Sequence, residues 1–234
     1  TMRYHLIVLL CKLLNVSTAI KYQYDPRIHN FGNVGIGGRF YASVARPVTR
    51  IIDRIAYKGV NVRKDLLKTL NIEANVVSDW CCGTGMSTDA LYDSFKDAEI
   101  YGVDTSNEML KVARKRSVSD AEFLLGNVED IILPKKADLI TIMFALHEIP
   151  QYARINVLKN VKKNLSKNGR LLIVDIDIVY KPSRIMLSGE PYLKEYLKNV
   201  QDDITRIFPN VIEKQVIPKR VISWYTEPYI STSP

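Results

Sequence analysis

The chain has 234 residues, 47% of them hydrophobic, and 33 lysines and arginines against 25 acids give it a net charge of +8. Such a length suits one domain with a full core plus some decoration, and no run of eighteen uninterrupted apolar residues exists to span a membrane. Three cysteines, two of them adjacent, form neither a disulfide framework nor a zinc pattern, which points to a reducing, cytoplasmic setting without a metal.

Tyr4 to Ile20 is apolar, broken by His5, Lys12 and Asn15, which fall near one side of a helix. Three readings stay open: a helix docked on the core, a membrane-surface anchor helped by the basic charge, or a signal peptide, against which Lys12 counts. Tyr22 to Tyr41 is rich in glycine and aromatics. It is either a mobile lid whose Tyr24, His29, Asn30 and Tyr41 face substrate, or a surface linker. Pro47 starts a helix carrying Val48, Ile51, Ile52, Ile55 and Ala56 on one face, and Gly59 stops it. Asn61 caps a short helix through Leu66, Leu67 and Leu70. Both helices precede the first strand, so they are expected to pack beside the sheet and roof a ligand cleft.

Residues 76–85 read VVSDWCCGTG, a buried strand running straight into a glycine loop and a helix. Gly83 and Gly85 allow a tight turn and leave no side chain between loop and ligand. Asp79 ends this strand, and the next apolar run, Ile100 to Val103, ends in Asp104. An acid at that second tip is placed to accept both hydroxyls of a ribose. The helix after the loop aims its first amides and its dipole at the ligand. Ser106 caps the next helix, whose closing Arg114, Lys115 and Arg116 suit a helix C-terminus and require no nucleic acid.

Glu122 to Leu125 is a third strand, Asp138 to Phe144 a fourth, and Arg170 to Ile178 a fifth, after a helix that stops near Gly169. Strands alternating with helices mean a parallel, doubly wound α/β sheet. After Met86 comes no third glycine at the spacing a pyrophosphate cradle needs, which argues against a dinucleotide. His147 and Glu148 follow the fourth strand, where either can orient an acceptor or take its proton. Asp175 and Asp177 lie near the end of the fifth strand, and alternation turns one toward the cleft. Cys81 and Cys82 lack a specified base and are not read as nucleophiles. Pro191 opens a helix through Tyr192 and Tyr196, one turn apart, which either wall a pocket or pack in the core, and Val211 to Ile217 and Val221 to Tyr225 are two more strands.

Five ordered pieces, DWCCGTG, YGVDTSNEML, GNVED, ADLITIMFALHEIP and LSKNGRLLIVD, make residues 76–178 resemble class I S-adenosylmethionine-dependent methyltransferases, in particular quinone C-methyltransferases and their small-molecule relatives. The resemblance implies a Rossmann-like sheet of seven strands, mostly parallel with the last antiparallel, and helices on both faces. It divides the chain into an amino-terminal helical lid, 1–75, and a cofactor domain, 76–234, with a substrate-side insertion at 180–208. It also implies roles. Asp79 fixes the loop, often through the methionine ammonium, and Cys81, Gly83 and Gly85 line the methionine and ribose. Asp104 holds the ribose, Thr105 and Met109 flank the adenine, Asn127 and Val128 meet its edge, and Phe144 lies by the methionine. The implied reaction is methyl transfer to a small or lipid-like acceptor, with His147 and Asp175 as candidate catalytic residues and Tyr24, His29, Tyr41 and Tyr192 as candidate acceptor contacts. Two alternatives are an RNA or protein methyltransferase, supported only by charge, and a cofactor-binding subunit that activates a partner.

Overall fold

The computed structural model describes residues 35–118 and 120–227. The apolar segment from Tyr4 to Ile20, with Tyr24 and His29, therefore lies outside the described residues. Seven strands form one sheet in the order β3-β2-β1-β4-β5-β7-β6. They are β1 Val76–Trp80, β2 Glu99–Asp104, β3 Glu122–Leu125, β4 Ala137–Met143, β5 Leu165–Ile176, β6 Val211–Ile217 and β7 Val221–Thr226. The pairs among β1 to β5 are parallel, and β7 runs antiparallel to both β5 and β6. The order reverses between β1 and β4, and in open α/β sheets a ligand crevice forms outside the carboxyl ends of the strands at such a switch point.

Both faces of the central strands are covered, so their sequences are nearly continuous apolar runs. Alternation still sorts them. Trp80, Ile140, Ile142, Leu171 and Ile173 face one core, while Val77, Leu139, Met143, Leu172 and Val174 face the other. Helices α5 (Gln151–Asn164) and α7 (Leu193–Ile207) cover the first core, and α2 (Val62–Lys68) and α3 (Met86–Ser94) the second. A buried ion pair ties α5 to α7, with Arg154 Nη2 at 3.1 Å from Asp203 Oδ2.

Two boundaries differ from the sequence reading. Helix α1 runs from Gly35 to Ala56 with Pro47 inside it, so Gly35 to Tyr41 is helix rather than loop. Glycine is a poor helix former and proline a worse one, but Gly38, Ala42 and Ala45 recur at helical spacing on the buried face. Ala42 and Ala45 pack on Met109 of α4 (Asn107–Arg116), and this tertiary contact outweighs local propensity. The second difference is at β5, which begins at Leu165 and not at Arg170. The pairing register with β4 shifts between Ala137 and Leu139, and a Cβ at Gly169 would stand 2.6 Å from the Ala137 carbonyl oxygen. Glycine there permits a close backbone approach inside a strand rather than ending a helix.

Candidate functional site

A cleft of about 520 Å³ opens at the carboxyl ends of β1, β2 and β4. Its floor is the loop after β1, with Cys81, Cys82, Gly83 and Thr84, and Asp104 stands at the tip of β2. Its roof is α1, through Tyr41, Ala45, Thr49, Ile52, Asp53 and Ala56, together with Tyr57 and with Arg63 of α2. The expectation that both amino-terminal helices roof the cleft is met.

The loop is held from below and from the side. Asp79 is 1% exposed, and it accepts hydrogen bonds from the hydroxyls of Thr88 (2.7 Å) and Thr141 (3.2 Å). Burial raises its carboxyl to about 7, against the opposing effect of those two hydroxyls. Asp79 thus ties β1 to α3 and β4 beneath the loop and does not line the cleft. At the side, the Gly83 amide donates to Asp104 Oδ2 (2.8 Å) and the Ser106 amide to Oδ1 (2.7 Å). A Cβ on Gly83 would meet nothing within 4 Å, so the loop leaves open space toward the cleft. Gly85 serves packing instead: at φ 81° its Cβ would come within 3.3 Å of Ala113 and Phe123.

Two non-glycine residues in the wall, Cys81 (φ 60°) and Phe144 (φ 58°), sit in the left-handed region. Such a conformation costs on the order of 1–3 kcal/mol each and persists where surrounding structure imposes it, commonly at functional sites. The Phe144 ring stacks on Tyr57 with centroids 5.8 Å apart. The Arg63 guanidinium lies 4.6 Å from the Phe144 centroid while pairing with Asp53 at 3.0 Å.

Beyond Phe144 lies a polar end. His147 is on a 3-10 turn, Leu146–Glu148, that directly follows β4. Its Nδ1 is 2.6 Å from Oδ1 of Asp175, which is fully buried in β5, and its amide donates to Oδ2 at 3.3 Å. Tyr196 packs edge-on against the imidazole at 6.1 Å. Burial pulls the His147 pKa down, but the charge and hydrogen bond of Asp175, with Glu148 and Glu190, outweigh it and raise the value to about 9. The ligand atoms of His147, Glu148 and Glu190 all lie within 4.8 Å of one another, a donor set able to hold a divalent cation or to favour any cationic group. Burial pushes the Tyr41 hydroxyl up, and the charges of Glu148 and Glu190 add to this.

Of the residues singled out in the sequence, the cleft brings together Tyr41, Cys81, Gly83, Asp104, Met109, Phe144 and His147. Asp175 stands directly behind His147. Thr105, Asn127, Val128 and Tyr192 are not in the cleft wall. The Asn127 side chain closes a local turn, accepting from the Glu129 amide at 3.0 Å, and the Val128 carbonyl accepts from Asn160 at 3.1 Å. Asp177 is also structural: it accepts from the Val179 amide and from Gln215. Tyr57, Arg63, Tyr180 and Met186, for which sequence reasoning proposed no role, are also in the wall, as is Glu190. No local motif marks them, since they meet only when the helices dock on the sheet.

Fold and cleft together define a doubly wound α/β protein built to hold one nucleoside-bearing cofactor. A family model described as "Methyltransferase domain" matches residues 77–169. A demethylmenaquinone methyltransferase of Thermotoga maritima is 30% identical over 163 residues, covering 64% of this chain and 68% of that protein. The chain therefore belongs to the S-adenosylmethionine-dependent methyltransferases. A trans-aconitate 2-methyltransferase of Afipia carboxidovorans is 29% identical over 138 residues. The match spans 58% of this chain and only 53% of that relative. The solved DhpI complex with S-adenosylhomocysteine superposes with a TM-score of 0.62 at 17% identity, over 81% of this chain and 92% of that one, a likeness of fold.

The residues present fit S-adenosylmethionine. Gly83 leaves space for the ligand, Asp104 offers a carboxylate to ribose hydroxyls, and Met109, Phe144 and Tyr57 give an apolar and aromatic wall.

Proposed function

We propose that this protein transfers a methyl group from S-adenosylmethionine to a small, proton-bearing acceptor, with His147 taking the acceptor's proton and Asp175 positioning His147. When bound, S-adenosylmethionine supplies a methyl group on an excellent leaving group. The chain's own work is then to hold the acceptor in line, to exclude water and to accept a proton. Gly83 and Asp104 fix the cofactor end. Phe144, Tyr57 and the α1 roof close the cleft over the reacting atoms. The observation that carries the reading is the His147–Asp175 pair at 2.6 Å. Asp175 holds Nδ1, so Nε2, which lies 3.9 Å from Glu148 Oε1, is the nitrogen that meets the acceptor. A buried carboxylate also stabilises the imidazolium that forms, as in other dyads of this kind.

The test is a panel of phenols, quinols, amines, carboxylates and thiols, read by release of S-adenosylhomocysteine. His147→Ala should slow turnover of the accepted compound by about 100-fold or more while S-adenosylhomocysteine binds as before. A fully active variant would reduce His147 to packing. Glu148 and Glu190 beside His147 favour amines within that panel over acids such as the tricarboxylate in the Afipia relative's name.

A further inference from the structure

Six of the fourteen exposed large hydrophobic side chains among the described residues sit on the single helix α1: Ile36, Phe40, Val48, Ile51, Ile52 and Ile55. Scattered singly they would need no explanation, but several on one helix form a patch, and contiguous exposed apolar surface marks an interaction site. At 3.6 residues per turn, Ile51 falls on the side opposite the buried Gly38, Ala42 and Ala45, and Ile55 and Val48 continue that apolar strip round toward Ile52. Ile51 and Ile55 are 58% and 76% exposed. On the neighbouring side lie Arg39, Arg50 and Arg54, for which no acidic partner exists among the described residues.

We infer that α1 docks this protein flat on an anionic membrane surface, with Val48, Ile51 and Ile55 entering the headgroup boundary and Arg39, Arg50 and Arg54 meeting lipid phosphates. An apolar face bordered by arginines on a strongly amphipathic helix is the pattern of an interfacial helix. The chain's net charge of +8 acts in the same direction. The cleft agrees with this orientation. Ile52 both lines it and is 49% exposed, so the apolar face of α1 runs into the mouth. On the other lip, Met186 lines the cleft beside Ile185, which is 81% exposed. An amphiphilic acceptor held in the bilayer by its apolar part would then reach His147 without leaving the membrane surface. Docking itself needs no methyl transfer, so its failure and the failure of the proposed reaction are separable.

The experiment is co-sedimentation of the full chain with vesicles of phosphatidylcholine alone, or with about one third phosphatidylglycerol. The wild type should sediment with the anionic vesicles and be released by salt. Ile51→Glu with Ile55→Glu should weaken binding on the order of a hundredfold with no fall in Tm, because both positions are exposed. Arg50→Gln with Arg54→Gln, which leaves the apolar face intact, should cost about fivefold per arginine. Equal binding to neutral vesicles, or equal binding by the glutamate variant, overturns the assignment. So does an absence of vesicle binding. In that case, a dimer lost in the glutamate variant assigns the face to a second copy, and a large fall in its Tm assigns the face to the chain's own residues 1–34.

Discussion

Replacing Asp175 with asparagine isolates the step on which the proposed chemistry turns. In the wild type the pair raises His147 from 6.5 to about 9, a preference for the imidazolium of roughly 3 kcal/mol. With the charge of Asp175 removed, burial, which disfavours the charged ring, is opposed only by Glu148 and Glu190. The pKa of His147 in Asp175→Asn should therefore fall from its wild-type value. The assay is kcat/KM from pH 6 to 10, followed by S-adenosylhomocysteine release. In the wild type, turnover should climb about tenfold per pH unit and level near 9, where the imidazole becomes neutral. In the variant, the limb should move to lower pH and the plateau should drop, because the neutral ring is a weaker and less well oriented base. Stability gives an independent reading of the same pair. A histidine whose folded pKa lies above its unfolded one contributes stability that is fully present below about 6.5 and is lost as pH rises through about 9. The wild type should therefore lose up to roughly 3 kcal/mol between pH 7 and 10, and the variant should lose less. A His147 resonance that titrates at or below 6.5 in the wild type, or one pH limb shared by both proteins, would refute this account.

Two further outcomes test the scaffold. Asp104→Ala removes the acceptor of the Gly83 and Ser106 amides as well as the carboxylate proposed to hold the ribose. It should weaken S-adenosylhomocysteine by about 100-fold in calorimetry and cost about 1–3 kcal/mol of stability; unchanged affinity would sink the placement of the ribose. Arg154→Ala leaves Asp203, which is 3% exposed, buried without its cation. Urea denaturation should show a loss of about 3–5 kcal/mol, and a loss below about 1 kcal/mol would show that the site relaxes or admits water.

The cofactor half of the site was legible because its signals are local. A strand, a glycine loop and a helix are adjacent in the chain, and Gly83 and Asp104 needed only β1 and β2 to lie side by side to meet. The roof was legible in part: the period of Val48 to Ala56 and the Asn61 cap announced two helices, while Tyr57 and Arg63 carried no sign of their place over Phe144. The glycine-rich run misled, since Gly38 lies on the buried face of a helix packed on α4, where a small residue is needed as it would be in a tight loop.

Sequence alone determined the class of fold and a ribose-bearing ligand, through apolar periods and glycine positions that act within a few residues of one another, while S-adenosylmethionine came from the family resemblance of five ordered pieces. The sequence also named His147 and Asp175, but separately. Only the tertiary structure joined them, because the parallel register of β4 and β5 sets which side chains at the strand ends face each other across 28 positions of chain. The same holds for Glu148 and Glu190 at the acceptor end and for the exposed apolar face of α1. Periodicity shows that a helix has an apolar side, while docking decides which side the protein buries and which it presents outward.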